Sequence, residues 1–115
     1  AMEIETINVV NITNSTISGN SSNNATSGGG GIRLLNGNGV LSSANSTIAN
    51  NTTGFDGGGI RQEAPYTVSL RNTIVAGNID SSGGNAPDDT TTGAFPFTNP
   101  SSGTLHVTTA WPASS

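Results

Sequence analysis

The sequence has no cysteine and no lysine, and only ten of its 115 residues carry a formal charge. Without cysteine there is no disulfide scaffold and no thiolate metal site. The net charge of −4, with three scattered arginines, provides no basic footprint for nucleic acid. No apolar run approaches the roughly 20 residues of a membrane-spanning helix. Aromatic residues are also scarce, at 4%. Leu, Ile, Val and Phe together number 23, too few for a core of conventional depth. What fills the chain instead is Asn (15), Ser (15), Thr (16) and Gly (16). These residues disfavour helix interiors. Such a sparsely charged chain also lacks the high net charge of a disordered one. The apolar residues come as short Ile, Val and Leu runs punctuated by Gly and Asn, the pattern of many short strands.

The chain repeats itself. Asn14-Ser15-Thr16-Ile17-Ser18-Gly19-Asn20 recurs as Asn45-Ser46-Thr47-Ile48-Ala49-Asn50-Asn51 and as Asn72-Thr73-Ile74-Val75-Ala76-Gly77-Asn78. The spacings are 31 and 27 residues. Gly29-Gly30-Gly31-Ile32-Arg33 recurs as Gly57-Gly58-Gly59-Ile60-Arg61, 28 residues on, and the same step back from Ile32 reaches Ile4. Between these anchors, Val10/Leu41/Val68 and Ile12/Ser43/Leu70 form two columns two residues apart, the period of a strand with one buried face. The repeats imply rungs at about 4–20, 32–51 and 60–78, with polar loops at Ser21–Ser27 and Thr52–Asp56. A repeat near 28 residues with three strand signals and no helix predicts an all-β parallel β-solenoid of about three rungs. Each rung would bury its aliphatic column against its neighbours, about 4.8 Å away. Gly and Asn suit corners that need positive φ, and stacked Asn side chains can form amide ladders. The predicted ladders are Ile4/Ile32/Ile60, Val10/Leu41/Val68 and Ile17/Ile48/Val75.

These motifs resemble the right-handed parallel β-helix repeats of bacterial cell-surface and secreted proteins, of the type NSTISGN…GGGI. They are also similar to the repeats of polymorphic outer membrane proteins, which pair a Gly-Gly-Ala-aliphatic element with Phe-x-x-Asn. The counterparts here are Gly29 to Ile32, Gly57 to Ile60, and Ile17…Asn20, Ile48…Asn51 and Val75…Asn78, with Ile or Val in place of Phe. The resemblance spans roughly residues 4–89. It implies a right-handed β-helix, and a surface or secreted location with adhesive or structural roles.

After Asn78 the repeat stops. Residues 79–115 hold a polar Ser/Gly/Asp/Thr stretch, then Phe95, Phe97, Trp111 and the strand-like Thr104 to Thr109. Solenoid ends expose strand edges, so an irregular terminal segment reads as a cap. The sharper alternative is a segment that inserts into a neighbouring subunit. Ala1-Met2 reads either as a cloning remnant or as a mature end left by signal cleavage.

Catalytic chemistry has few candidates. Arg33 and Arg61 share a column with Glu5, readable as a sugar-facing groove or as an exposed ion-pair ladder, and the ladder is the preferred reading. Asp88-Asp89 is the one adjacent acidic pair, a thin basis for a Ca²⁺ site. His106 stands without a Ser or Asp constellation. Asn36-Gly37-Asn38-Gly39 resembles a Gly/Asp-rich Ca²⁺ turn but lacks Asp. No nucleophile elbow, P-loop or dinucleotide fingerprint is present. The expectation is no enzyme, no catalytic residue, no metal and no cofactor.

The sequence therefore predicts an extracellular structural or adhesive β-helix, secreted or held at the cell surface. Its partners would be further copies stacked head-to-tail into a fibre, or further β-helix of a longer parent chain, with surface glycans as another ligand class. Assembly would use Ile4, Thr6 and Ile7 at one end and Leu105, Val107 and Trp111 at the other. The alternative is a carbohydrate-binding or carbohydrate-active β-helix fragment, which would require convergent carboxylates or a buried arginine. Seven glycosylation sequons occur, of which Asn20, Asn24, Asn50 and Asn51 lie nearest the loops.

Overall fold

Short β-forming stretches separated by Gly and Asn fold as strands too brief to bury anything alone, so each needs a copy of itself above and below. The computed structural model describes residues 2–5, 9–23, 26 and 28–82, together with the backbone of 86–87, 90–91 and 105–106. It is all-β, with no helix among the described residues. The chain passes three times through the same four strand positions. The first pass is β1 (Met2–Glu5), β2 (Val9–Thr13), β3 (Thr16–Ser18) and β4 (Ser21–Ser22). The second is β5 (Ile32–Leu35), β6 (Val40–Ala44), β7 (Thr47–Ala49) and β8 (Thr52–Thr53). The third is β9 (Ile60–Gln62), β10 (Thr67–Arg71), β11 (Ile74–Ala76) and β12 (Ile79–Asp80). Corresponding strands pair in parallel, building four sheets along one axis, an arrangement compatible with a β-solenoid.

From the tail, β13 (Ala86–Pro87) pairs antiparallel with β12, while β14 (Thr90–Thr91) and β15 (Leu105–His106) add in parallel to β9 and β11.

The corners explain the Asn and Gly columns. Asn14, Asn45 and Asn72 have φ of 50°, 51° and 47°, and Gly19, Asn50 and Gly77 have 68°, 57° and 69°. Both columns turn the chain from one sheet to the next through the left-handed region, where Gly and Asn are least penalised.

Inside, Val10/Leu41/Val68 and Ile17/Ile48/Val75 stack in register, with Leu41, Val68, Ile48 and Val75 fully buried. The first sheet differs from the repeat arithmetic by two residues. Met2, not Ile4, lies opposite Ile32 and Ile60, and Ile4 stacks on Leu34 and then Gln62. A two-residue shift keeps the same face inward, so Ile4 is buried all the same. The stretches expected to be polar loops also begin with strands: Ser21–Ser22 and Thr52–Thr53 pair in parallel and, with Ile79–Asp80, build the fourth sheet.

Polar side chains stack in the interior as well. Asn20, Asn51 and Asn78 close successive coils. Asn20 Nδ2 donates to Asn51 Oδ1 and Asn51 Nδ2 to Asn78 Oδ1, each at 2.9 Å. The same amide nitrogens of Asn51 and Asn78 donate to Ile17 O and Ile48 O, each at 3.0 Å. The backbone N–H groups of Asn20 and Asn51 also donate along the ladder, at 3.1 and 3.0 Å. A thin core thereby gains directional bonds where apolar area is short.

Candidate functional site

Two features stand out among the described residues: a strip of ion pairs on the first sheet, and the exposed edge of the first coil.

The strip follows from strand alternation. Ile32, Leu34, Ile60 and Gln62 point inward, so Arg33, Arg61 and Glu63 lie on the outer face. Arg33 donates to Glu3 on one side and to Glu63 on the other, each at 2.9 Å. Arg61 donates to Glu63 and, at 2.9 Å, to Asp56. The guanidinium of Arg61 lies 4.9 Å from the Phe55 ring centroid, a cation–π contact. The charges alternate from Glu3 through Arg33, Glu63 and Arg61 to Asp56. Partial burial works against the charge of Glu63, but hydrogen bonds from Arg33 and Arg61 outweigh it, and its pKa lies below the ordinary carboxylate value. Burial likewise opposes the charge of Arg33, and hydrogen bonds and attraction from Glu63 and Glu3 raise its pKa. Glu5 is not in this column. It lies opposite Leu35 and accepts a hydrogen bond from Asn36 Nδ2 at 2.6 Å. Every carboxylate of the strip is held by an arginine, so the strip braces three coils. Among the described residues no group of three or more His, Asp or Glu side chains is placed to hold a metal.

Among the described residues, no strand pairs with the far side of the first coil. Its four strands each form the edge of a sheet. The glycine run beside it is unusual. Gly29, Gly30, Gly31 and Ile32 donate in succession to the carbonyls of Asp56, Gly57, Gly58 and Gly59, at 3.0, 3.2, 2.9 and 2.8 Å. In a regular strand, alternate residues would donate in opposite directions. Here four successive N–H groups point one way, and a trans peptide sets each C=O opposite the following N–H. The carbonyls of Gly28 to Gly31 therefore face the first-coil side. Gly31 O accepts from Met2 N at 2.8 Å. Those of Gly28, Gly29 and Gly30 accept from no described residue, although all three residues are buried. Only glycine fits this stacking. A Cβ on Gly30 would lie 2.5 Å from Gly58 O, and one on Gly31 2.6 Å from Gly59 O.

Of the residues expected to mediate assembly, Ile4 is buried in the first coil. The backbone of Leu105 pairs with Ile74 of its own chain. Thr6, Ile7, Val107 and Trp111 lie outside the described residues, as do Asp88, Asp89 and the His106 side chain. Among the sequon asparagines, Asn50 is exposed, and Asn24 lies outside the described residues. Asn51 is fully buried, and its amide is spent on Ile17 O and Asn78 Oδ1. Asn20 is half-buried and donates into the same ladder. The Asn51 amide is thus a buried structural group of the folded chain, whereas Asn20 stays partly exposed.

Sequence reading missed Glu63. The signal was its position two residues after Arg61, hence on the same face of one strand line. Comparison with known proteins finds no family model, no curated protein and no solved structure that matches the chain.

Proposed function

We propose that this chain is a right-handed parallel β-helix acting as an extracellular structural and adhesive element, lengthened by docking of a further β-strand layer on its first coil. The supporting observation is the one-sided pairing of β1, β2, β3 and β4. Unpaired strand edges are templates for another chain. Copies stacked head-to-tail would meet that edge in a heterologous contact. A heterologous contact of this kind grows into a filament when it does not close. The paired carboxylates favour this structural role over polysaccharide cleavage.

The test uses one edge. Asn14 N donates to Ala44 O of the second coil. By the alternation of parallel strands, the N–H groups of Val10 and Ile12 face the same way, and those of Val9, Asn11 and Thr13 face the open side. Asn11→Pro removes an open-edge donor and no internal bond. Sedimentation velocity and electron microscopy should show concentration-dependent linear assemblies of the wild-type chain. Asn11→Pro should abolish them with an unchanged β-rich circular dichroism spectrum. A wild-type chain that stays monomeric at every concentration overturns the assembly reading.

A further inference from the structure

The turn between β5 and β6 contains both Asn-Gly steps of the sequence, Asn36-Gly37 and Asn38-Gly39. In such steps the glycine nitrogen can attack the preceding side-chain amide, because no Cβ shields it. The two steps look equivalent in sequence, but the structure separates them.

Asn36 is held. Its Nδ2 donates to Glu5 Oε1 at 2.6 Å, tying it to the neighbouring coil, and its backbone sits at φ 50°. Gly37 is wedged against Tyr66: a Cβ there would lie 2.6 Å from the phenol oxygen. Tyr66 is itself buried, with its hydroxyl 3.4 Å from Leu35 O. The peptide that would have to rotate is therefore packed, and the side chain that would be attacked is tethered. Asn38 is exposed, and its side chain makes no hydrogen bond among the described residues. Gly39 is buried and anchored through its carbonyl, which accepts Thr67 N–H at 2.9 Å, while its own N–H has no partner among the described residues.

We infer that Asn38 is a self-modification site that converts to isoaspartate and aspartate, while Asn36 is protected. The Gly39 nitrogen bonds to Cγ of Asn38 and gives up its proton. The Cγ–Nδ2 bond breaks and the amide leaves as ammonia, which carries off that proton. The resulting succinimide is opened by water at either carbonyl. Opening at one yields aspartate. Opening at the other yields isoaspartate, which routes an extra methylene through the turn and leaves a free carboxylate. The lengthened turn strains the Gly39–Thr67 bond between the second and third coils. The product would also set a new negative charge beside the second sheet, in a chain that already carries −4.

The test ages the full chain in mildly alkaline buffer at physiological temperature. Peptide mapping by mass spectrometry then reads the amide-to-acid mass change at each site, and isoaspartate methyltransferase labelling reports the isomer. Asn38 should convert about tenfold faster than Asn36, the factor that about 1.4 kcal/mol of extra barrier imposes. In urea the two rates should converge. Glu5→Ala, which frees the Asn36 amide, should raise the Asn36 rate in the folded chain and leave Asn38 unchanged. Asn38→Gln should remove most of the isoaspartate label. Equal rates in the folded chain, a faster Asn36, or a gap that persists in urea would each overturn the assignment.

Discussion

The first and third coils are built from the same repeat yet are flanked differently. At the first coil all four strands end their sheets, and Met2 and Val9 are exposed at 37% and 58%. At the third coil, β9, β11 and β12 each gain a strand from the tail, and Val68, Leu70 and Val75 are fully buried. In a stack where each layer contacts only its neighbours, a residue's worth depends on how many layers flank it. The same side chain should therefore matter most in the second coil and least at the open edge.

The largest test of that gradient compares two members of one column. Leu41 is fully buried between Val10 and Val68, whereas Val10 is only partly buried. Leu41→Ala should cost about 2–5 kcal/mol, the usual range for a buried leucine. Val10→Ala should cost about 1 kcal/mol, because its side chain keeps part of its water contact in the folded state. Urea unfolding monitored by circular dichroism measures both. Equal losses would mean that the layers do not contribute locally.

The amide ladder gives a sharper version with the same residue type. Asn51→Ala removes the acceptor of Asn20 N–H and Nδ2 and the donor to Ile17 O and Asn78 Oδ1. Orphaned buried polar groups cost about 1–3 kcal/mol apiece, and the cavity relaxes around some of them, so a net loss of about 3 kcal/mol is expected. Asn20→Ala, at the half-buried first rung, should cost about 1 kcal/mol. Hydrogen exchange should show the loss at Asn51 spreading to the amides of the third and fourth sheets. An Asn20→Ala loss as large as that of Asn51→Ala would refute the gradient in the ladder.

Much of the stacking was readable from the chain, and the exceptions have physical causes. The Val10/Leu41/Val68 and Ile17/Ile48/Val75 columns were visible because aliphatic residues recur beside an Asn that must adopt positive φ. The first-sheet register was misjudged because a 28-residue step was carried across loops of unequal length. Glu3 opposite Arg33 was the available correction. The fourth sheet was invisible because Ser21–Ser22 and Thr52–Thr53 have the composition of loops, and only the pairing partner makes them strands. Asn14, Asn45 and Asn72, which open each repeat, suit both a positive-φ corner and a ladder. Asn72 does donate to Asn45, at 3.1 Å on the surface, but the buried ladder belongs to the closing Asn20, Asn51 and Asn78. The one-way carbonyl row had no sequence signal beyond the glycines themselves.

The smallest effect belongs to the ion-pair strip, where exposure separates its middle from its rim. Glu63 sits between two arginines and its pKa is lowered by their hydrogen bonds against the opposing effect of burial. A carboxylate whose folded pKa is depressed contributes stability above its unfolded pKa, about 4.3 for Glu. That contribution fades as pH falls below this value and through the lower folded one. The thermal midpoint should therefore drop on acidification in that window, and Glu63→Gln should flatten the drop while lowering the midpoint at neutral pH. Glu3 is the rim partner, 57% exposed at the open edge. Pairs so exposed contribute about 0–1 kcal/mol, so Glu3→Gln should leave the midpoint at neutral pH nearly unchanged. Salt should weaken the Glu3 pair more than the Glu63 pair, since exposed charges are screened more fully. If Glu3→Gln lowered the neutral-pH midpoint as much as Glu63→Gln does, the strip would be uniform along its length and the difference between first coil and interior would not extend to its charges.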